Sequence, residues 1–118
     1  MHELSLCQAL IDQVEGIARE HNATAVKLIK LQVGPLSGAE APLLQHAYPI
    51  AAAGTVAEEA ELQIESMPIR VRCNSCGEES DATANRLLCG SCGDYHTQLI
   101  SGDEIVLASL EFDTPSLN

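Results

Sequence analysis

The first twenty residues carry a helical pattern. Leu6, Cys7, Leu10, Val14, Ile17 and Ala18 recur at three-to-four-residue spacing, with Gln8, Asp12, Glu15 and Arg19 on the other face. This predicts a helix that starts almost at residue 1, so that His2 and Glu3 lie in or just before its first turn. An acidic Glu3 there also suits the positive end of the helix dipole. His21 and Asn22 read as the frayed end. From Ala25 to Val33 the period changes to two: Ile29, Leu31 and Val33 alternate with Lys30 and Gln32, while Val26 and Leu28 make the second face partly apolar near its start. Gly34-Pro35-Leu36-Ser37-Gly38 is a turn cluster. Ala39 to Ala53 reads as a second helix with an apolar stripe of Leu43, Leu44, Ala47, Tyr48 and Ala51. Pro42 fits its first turn, Gly54 fits its stop, and Pro49 is expected to kink or split it. Ala60 to Met67 alternates again, with Leu62 and Ile64 inward and Glu61, Gln63 and Glu65 outward. Pro68 interrupts, and Ile69 and Val71 then alternate with Arg70 and Arg72 into Cys73. A last strand runs from Glu104 to Phe112, with Val106, Ala108, Leu110 and Phe112 on one face and Ile105 and Leu107 on the other. The tail after Asp113 is expected to be disordered.

The order helix, strand, helix, strand, cysteine block, strand predicts an α+β fold. A small mixed sheet is covered by two helices, and the cysteine block is inserted between two strands of that sheet. The block is C-N-S-C, twelve residues, then C-G-S-C, and holds Cys73, Cys76, Cys89 and Cys92 of the five cysteines. A two-residue gap lets neighbouring thiolates grip one ion, and two such knuckles facing each other close a tetrahedron, which is the spacing of a structural zinc site. Gly77 and Gly93 each follow the second cysteine of a pair, where a tight turn favours positive φ. Two other outcomes are open on spacing alone: a pair of disulfides, or a four-thiolate iron centre suited to electron transfer. Cys7 reads as a small buried hydrophobe.

Composition narrows the function. Aromatic residues are few (Tyr48, Tyr95 and Phe112), so the core is built from Leu, Ile, Val and Ala, and a metal compensates for a small core. Seventeen acidic against six basic side chains give a net charge of -11. That argues against nucleic acid, which needs a basic footprint, and fits cations or a basic protein partner. Lacking a long apolar run or a basic-then-apolar start, the chain reads as cytoplasmic with no membrane span, and paired CxxC motifs in a reducing cytosol read as metal ligands.

A four-thiolate zinc centre is closed to substrates, so function is sought elsewhere. The chain shows no nucleophile with an obvious base, no phosphate-binding glycine loop and no paired-carboxylate motif. His2 places an imidazole beside the α-amine and the first backbone amides, a set that can hold Ni(II) or Cu(II) in a square-planar nitrogen site. On chemistry alone, His2 is equally an exposed terminal residue with no role. His96, four residues after Cys92, is either an auxiliary ligand (to zinc or to a metal held at His2) or a polar residue on the knuckle rim. His21, His46, Glu40, Glu58 and Glu59 read as surface or solvated residues.

Met1-His2-Glu3 leading into Leu4-Ser5-Leu6-Cys7, the strand ending at Val33-Gly34, the Ser37 turn, Gly54-Thr55-Val56-Ala57-Glu58, Ala60-Glu61-Leu62 and the paired CxxC block stand in that order. In this the chain resembles the HypA/HybF family of hydrogenase nickel incorporation proteins over essentially its whole length. The resemblance implies a nickel-binding α/β domain, residues 1–70 and 97–118, and a zinc-binding domain, residues 71–96. It implies a nickel metallochaperone rather than an enzyme, acting in maturation of nickel–iron hydrogenase and in some organisms supplying urease. The implied nickel ligands are His2, the Met1 amine and the backbone nitrogens of His2 and Glu3. Zinc falls to Cys73, Cys76, Cys89 and Cys92, and His96 is an auxiliary candidate. The implied partners are a HypB-type GTPase and the hydrogenase large-subunit machinery, with the chain a monomer or homodimer. The competing reading is a zinc-ribbon interaction module that never handles nickel.

Overall fold

The structure is a computed structural model that describes residues 3–114. The elements are α1 (Glu3–Glu20), β1 (Ala25–Val33), α2 (Ala41–Ala52), β2 (Glu61–Ser66), β3 (Ile69–Cys73), β4 (Glu79–Ala82), β5 (Thr97–Ser101) and β6 (Ile105–Asp113). They form two sheets rather than one. The first, β2-β1-β6, is mixed: β1 lies parallel to β2 and antiparallel to β6. The second, β4-β3-β5, is antiparallel. The expected mixed sheet with two helices and an inserted cysteine module is present. The strand entering the cysteine block, however, does not join the β1 sheet. β3 pairs instead with β4 and with β5, and neither of those two strands has a readable hydrophobic alternation.

Both helices cover one face of the first sheet. Cys7, Leu10, Ile11, Val14 and Ala18 of α1 and Leu44, Tyr48 and Ala52 of α2 join Ile29, Leu31, Val33 and Leu62 in one core. The stripe on α2 is therefore rotated from the expected one, and Leu43 stays 47% exposed. α2 runs unbroken through Pro49, which lies on its exposed side. There, water can satisfy the carbonyl that proline leaves without its helical donor. The end of α1 is capped, not frayed. Asn22 takes φ 55°, Ala23 N donates to Ala18 O and Asn22 N to Arg19 O, which closes a Schellman turn. Residues 115–118, where disorder was expected, lie outside the described residues.

β6 faces the core differently from its sequence pattern. Ile29 pairs with Leu110 and Lys30 with Ser109, but Leu31 then pairs with Leu107, so Ala108 is an extra residue in a bulge. The bulge inverts the phase halfway along the strand. Ile105, Leu107, Leu110 and Phe112 all pack on the core, whereas Val106 and Ala108 are exposed.

The two sheets meet at a narrow crossing. Gly34 N donates to Glu104 O at 2.8 Å, Leu36 N to Gly102 O at 2.7 Å and Met67 N to Val33 O at 3.0 Å. A Cβ on Gly34 would lie 2.2 Å from Gly102 O, and one on Gly102 would lie 2.9 Å from Ile69 Cα, so only glycines allow the backbones this close. The molecule is long, 58 × 33 × 17 Å, with a radius of gyration of 17.9 Å. A compact chain of this length has about 13–14 Å, so the sheets stand end to end.

Candidate metal centre

The four cysteines sit at the far end of the second sheet. Cys73 ends β3, and the first knuckle turns the chain into β4. The second knuckle lies in the irregular connection between β4 and β5. The two knuckles share one hydrogen-bond pattern. In the first, Cys73 N donates to Glu78 O and Gly77 N to Cys73 O, at 2.9 and 3.0 Å. In the second, Cys89 N donates to Asp94 O and Gly93 N to Cys89 O, again at 2.9 and 3.0 Å. Gly77 and Gly93 take φ values of 79° and 78°, as the spacing anticipated.

Each knuckle aims two backbone N–H groups at its first sulfur. Ser75 N and Cys76 N lie 3.3 and 3.4 Å from Cys73 Sγ, and Ser91 N and Cys92 N lie 3.3 and 3.4 Å from Cys89 Sγ. These donors hold the Cys73 thiol below its ordinary pKa, the Cys76 amide first among them. The Cys92 and Ser91 amides bring Cys89 to about 6. Cys92 is the opposite case: the Asp94 amide pulls its pKa down, yet the adjoining Cys73 sulfur leads a net rise to about 12. Sulfurs this close resist sharing negative charge until a cation sits between them.

The geometry fits such a cation. Cys73 Sγ and Cys92 Sγ are 3.6 Å apart, as are Cys76 Sγ and Cys89 Sγ, and all four sulfurs lie within 4.8 Å of one another. Metal–sulfur bonds of about 2.3 Å give a tetrahedron with edges of roughly 3.8 Å. Disulfides would need sulfurs about 2.05 Å apart, and all five cysteines are free. Cys73 and Cys89 are buried while Cys76 and Cys92 are exposed, so the centre is anchored on one side and open to solvent on the other. The arrangement fits a structural zinc site, with no place for a substrate in its shell.

His96 is not part of the sulfur cluster. Its Nδ1 lies 2.8 Å from Asp94 Oδ1, and its ring is 4.0 Å, centroid to centroid, from that of Tyr95. The Asp94 carboxyl is held well below the usual carboxylate range by the Ser75 hydroxyl, then by the backbone and ring of His96. Glu3 is the first residue of α1, and its charge adds to the burial that raises the Cys7 thiol. Met1 and His2 lie outside the described residues. His21 lies against Phe112, with centroids 5.4 Å apart, and His46 is exposed on α2. Glu58 is less idle than a solvated acid, since its Oε2 accepts from Gly54 N at 3.2 Å where α2 ends. Asp94 and Ser75 went unread in the sequence. The only signal for Asp94 is that it follows a knuckle glycine, as Glu78 does in the first pair.

The family model described as hydrogenase/urease nickel incorporation, metallochaperone, HypA matches residues 1–112. A hydrogenase maturation factor HypA from Nitrosospira multiformis is 52% identical over 97% of this chain and 99% of its own length. One from Aquifex aeolicus is 42% identical over 96% and 98%. The solution structure of the Ni metallochaperone HypA from Helicobacter pylori superposes with a TM-score of 0.73 at 24% identity, over 98% of this chain and all of that one, which supports the fold. The chain belongs to the HypA family of nickel-incorporation metallochaperones and is a metal carrier of hydrogenase maturation, not an enzyme.

Proposed function

We propose that the chain binds one Ni(II) at its N-terminus and delivers it to nickel–iron hydrogenase, with the four-cysteine zinc module as a structural unit. The observation that carries this is the extent of the family match, which includes Met1-His2-Glu3 and all four cysteines. The ligands are the His2 imidazole, the Met1 amine and the backbone nitrogens of His2 and Glu3. The start of α1 at Glu3 supports the set, because the first amides of a helix have no intrahelical acceptor and stay available. His96 is the auxiliary candidate for nickel, outside the closed sulfur shell: its Nδ1 faces Asp94, which leaves Nε2 as the atom for such a contact.

The nickel-binding domain is built on the first sheet and its two helices and the zinc-binding domain on the second sheet, so that β3 and β5 go with the cysteine module and the expected boundaries at 70 and 97 move outward to the crossing. The nickel passes through a HypB-type GTPase to the hydrogenase large subunit, and urease is a second recipient where that enzyme occurs. The protein works in the cytoplasm as a monomer or homodimer. None of the helices among the described residues is long and apolar enough to cross a membrane. A net charge of -11 favours a basic protein partner over nucleic acid.

Equilibrium dialysis of untagged protein tests the site. The wild type should hold one nickel that His2→Ala loses, and an extension that blocks the α-amine should have a similar effect. Affinity should fall as pH drops, because amine, imidazole and amide must all release protons. Full affinity in the extended protein would rule out the N-terminal site. No nickel binding in the wild type would leave a zinc-ribbon interaction module.

A further inference from the structure

The two knuckles are not held equally. The first joins β3 directly to β4, so its ends are fixed by the sheet. The second sits in a strandless connection and must be tethered by side chains. Gly90 N donates to Ser80 Oγ at 2.9 Å, and Thr97 Oγ1 to Leu87 O at 2.7 Å, which ties the chain on either side of Cys89 to β4 and β5. The contact that bridges knuckle to knuckle is made by Asp94. Its Oδ2 accepts the Ser75 hydroxyl, and Ser75 is the residue whose own N–H lies 3.3 Å from Cys73 Sγ. Its Oδ1 accepts from His96 N at 3.0 Å and lies 2.8 Å from His96 Nδ1, which fixes the carboxylate plane. The Asp94 carbonyl closes the second knuckle by accepting from Cys89 N, and His96 O accepts from Asn74 N in the first. One side chain thus links the loop that presents Cys89 and Cys92 to the loop that presents Cys73 and Cys76.

We propose that Asp94 is a positioning residue of the zinc centre: through Ser75 it holds the second knuckle against the first and sets the spacing of the four sulfurs. The proposal rests on reading the four cysteines as a zinc site. It concerns a residue that touches no metal and acts through a hydroxyl and a backbone amide. Partners of this kind typically change metal affinity tenfold to a hundredfold when removed.

The test is zinc release from full-length protein to a chromophoric chelator, with the absorption bands of the Co(II)-substituted protein as a readout of geometry. Asp94→Ala should release zinc about tenfold faster and change the Co(II) bands. Ser75→Ala should also speed release, and the double variant should be no faster than Asp94→Ala, since the carboxylate–hydroxyl contact is already absent there. Asp94→Asn should restore much of the wild-type behaviour, because its amide oxygen still accepts from His96 N while its NH2 donates to the Ser75 hydroxyl oxygen. Wild-type release rates in Asp94→Ala, or effects that multiply in the double variant, overturn the proposal. If Asp94→Ala does not fold, Ser75→Ala decides, since it leaves the carboxylate and every backbone bond in place. A wild type that retains no zinc would overturn the zinc reading and the latch with it. One retained zinc with unchanged release rates in the variants would overturn the latch alone.

Discussion

Tyr48 ties the end of α2 to the segment that follows it. Its hydroxyl donates to Ala57 O at 2.8 Å, and the residue is only 5% exposed. Burial, with a smaller contribution from Cys7, raises the phenol from its ordinary 10.0 to about 12. A raised pKa means that the fold favours the neutral form. The stabilisation is therefore complete below pH 10 and is lost as pH rises toward about 12. Tyr48→Phe should cost about 1 kcal/mol at neutral pH, because it leaves the buried Ala57 carbonyl without its donor. It should also lack the alkaline loss seen in the wild type, which urea titrations at neutral and alkaline pH will check. The clustering of the four cysteines was legible at this scale, because chelation by neighbouring thiolates fixes a local spacing. The Ser75–Asp94 contact was not, since it joins residues nineteen apart by a bond that only the folded loops create.

Among the elements, α1, β1 and β2 followed their patterns because each buries one face against one core. The last strand did not, and the reason is the bulge at Ala108. A strict period of two assigns Val106 inward and Leu107 outward, whereas one inserted residue reverses both. Lysine substitutions separate the two phases. Val106→Lys should be tolerated, while Leu107→Lys should cost about 2 kcal/mol or more by placing a charge against the core. Equal loss of thermal stability in the two variants would contradict the bulged register. β4 escaped notice for another reason: Glu79-Ser80-Asp81-Ala82 has little intrinsic strand preference. It is a strand because the first knuckle folds it back antiparallel onto β3, where Arg70 and Arg72 face Asp81 and Glu79 at 2.7 and 2.6 Å and add to the pairing. Cross-strand charge pairs of this kind are visible only once the register is known.

On the scale of the whole molecule, the two sheets have separate interiors. Ile69, Val71, Cys73 and Cys89 are buried, yet they stand apart from the helix-covered core. So small an interior needs its metal. Chelating the zinc should therefore remove amide-exchange protection from β3 and β5 while β1 keeps its own. Simultaneous loss at β1 would show a single cooperative unit and defeat this division. The crossing at Gly34 and Gly102 is what joins the parts, and its backbone bonds leave no space for a side chain on either glycine.

The sequence by itself determined the pairing of the four cysteines into two knuckles, the two helices, the β1 and β2 strands and the family motifs, because each rests on local spacing or on a single buried face. Tertiary structure alone decided that the chain makes two sheets, that β6 changes phase, and that Asp94 bridges the knuckles. These depend on which strand finds which partner, and pairing is settled by contacts between residues far apart in the chain, where local pattern carries no information.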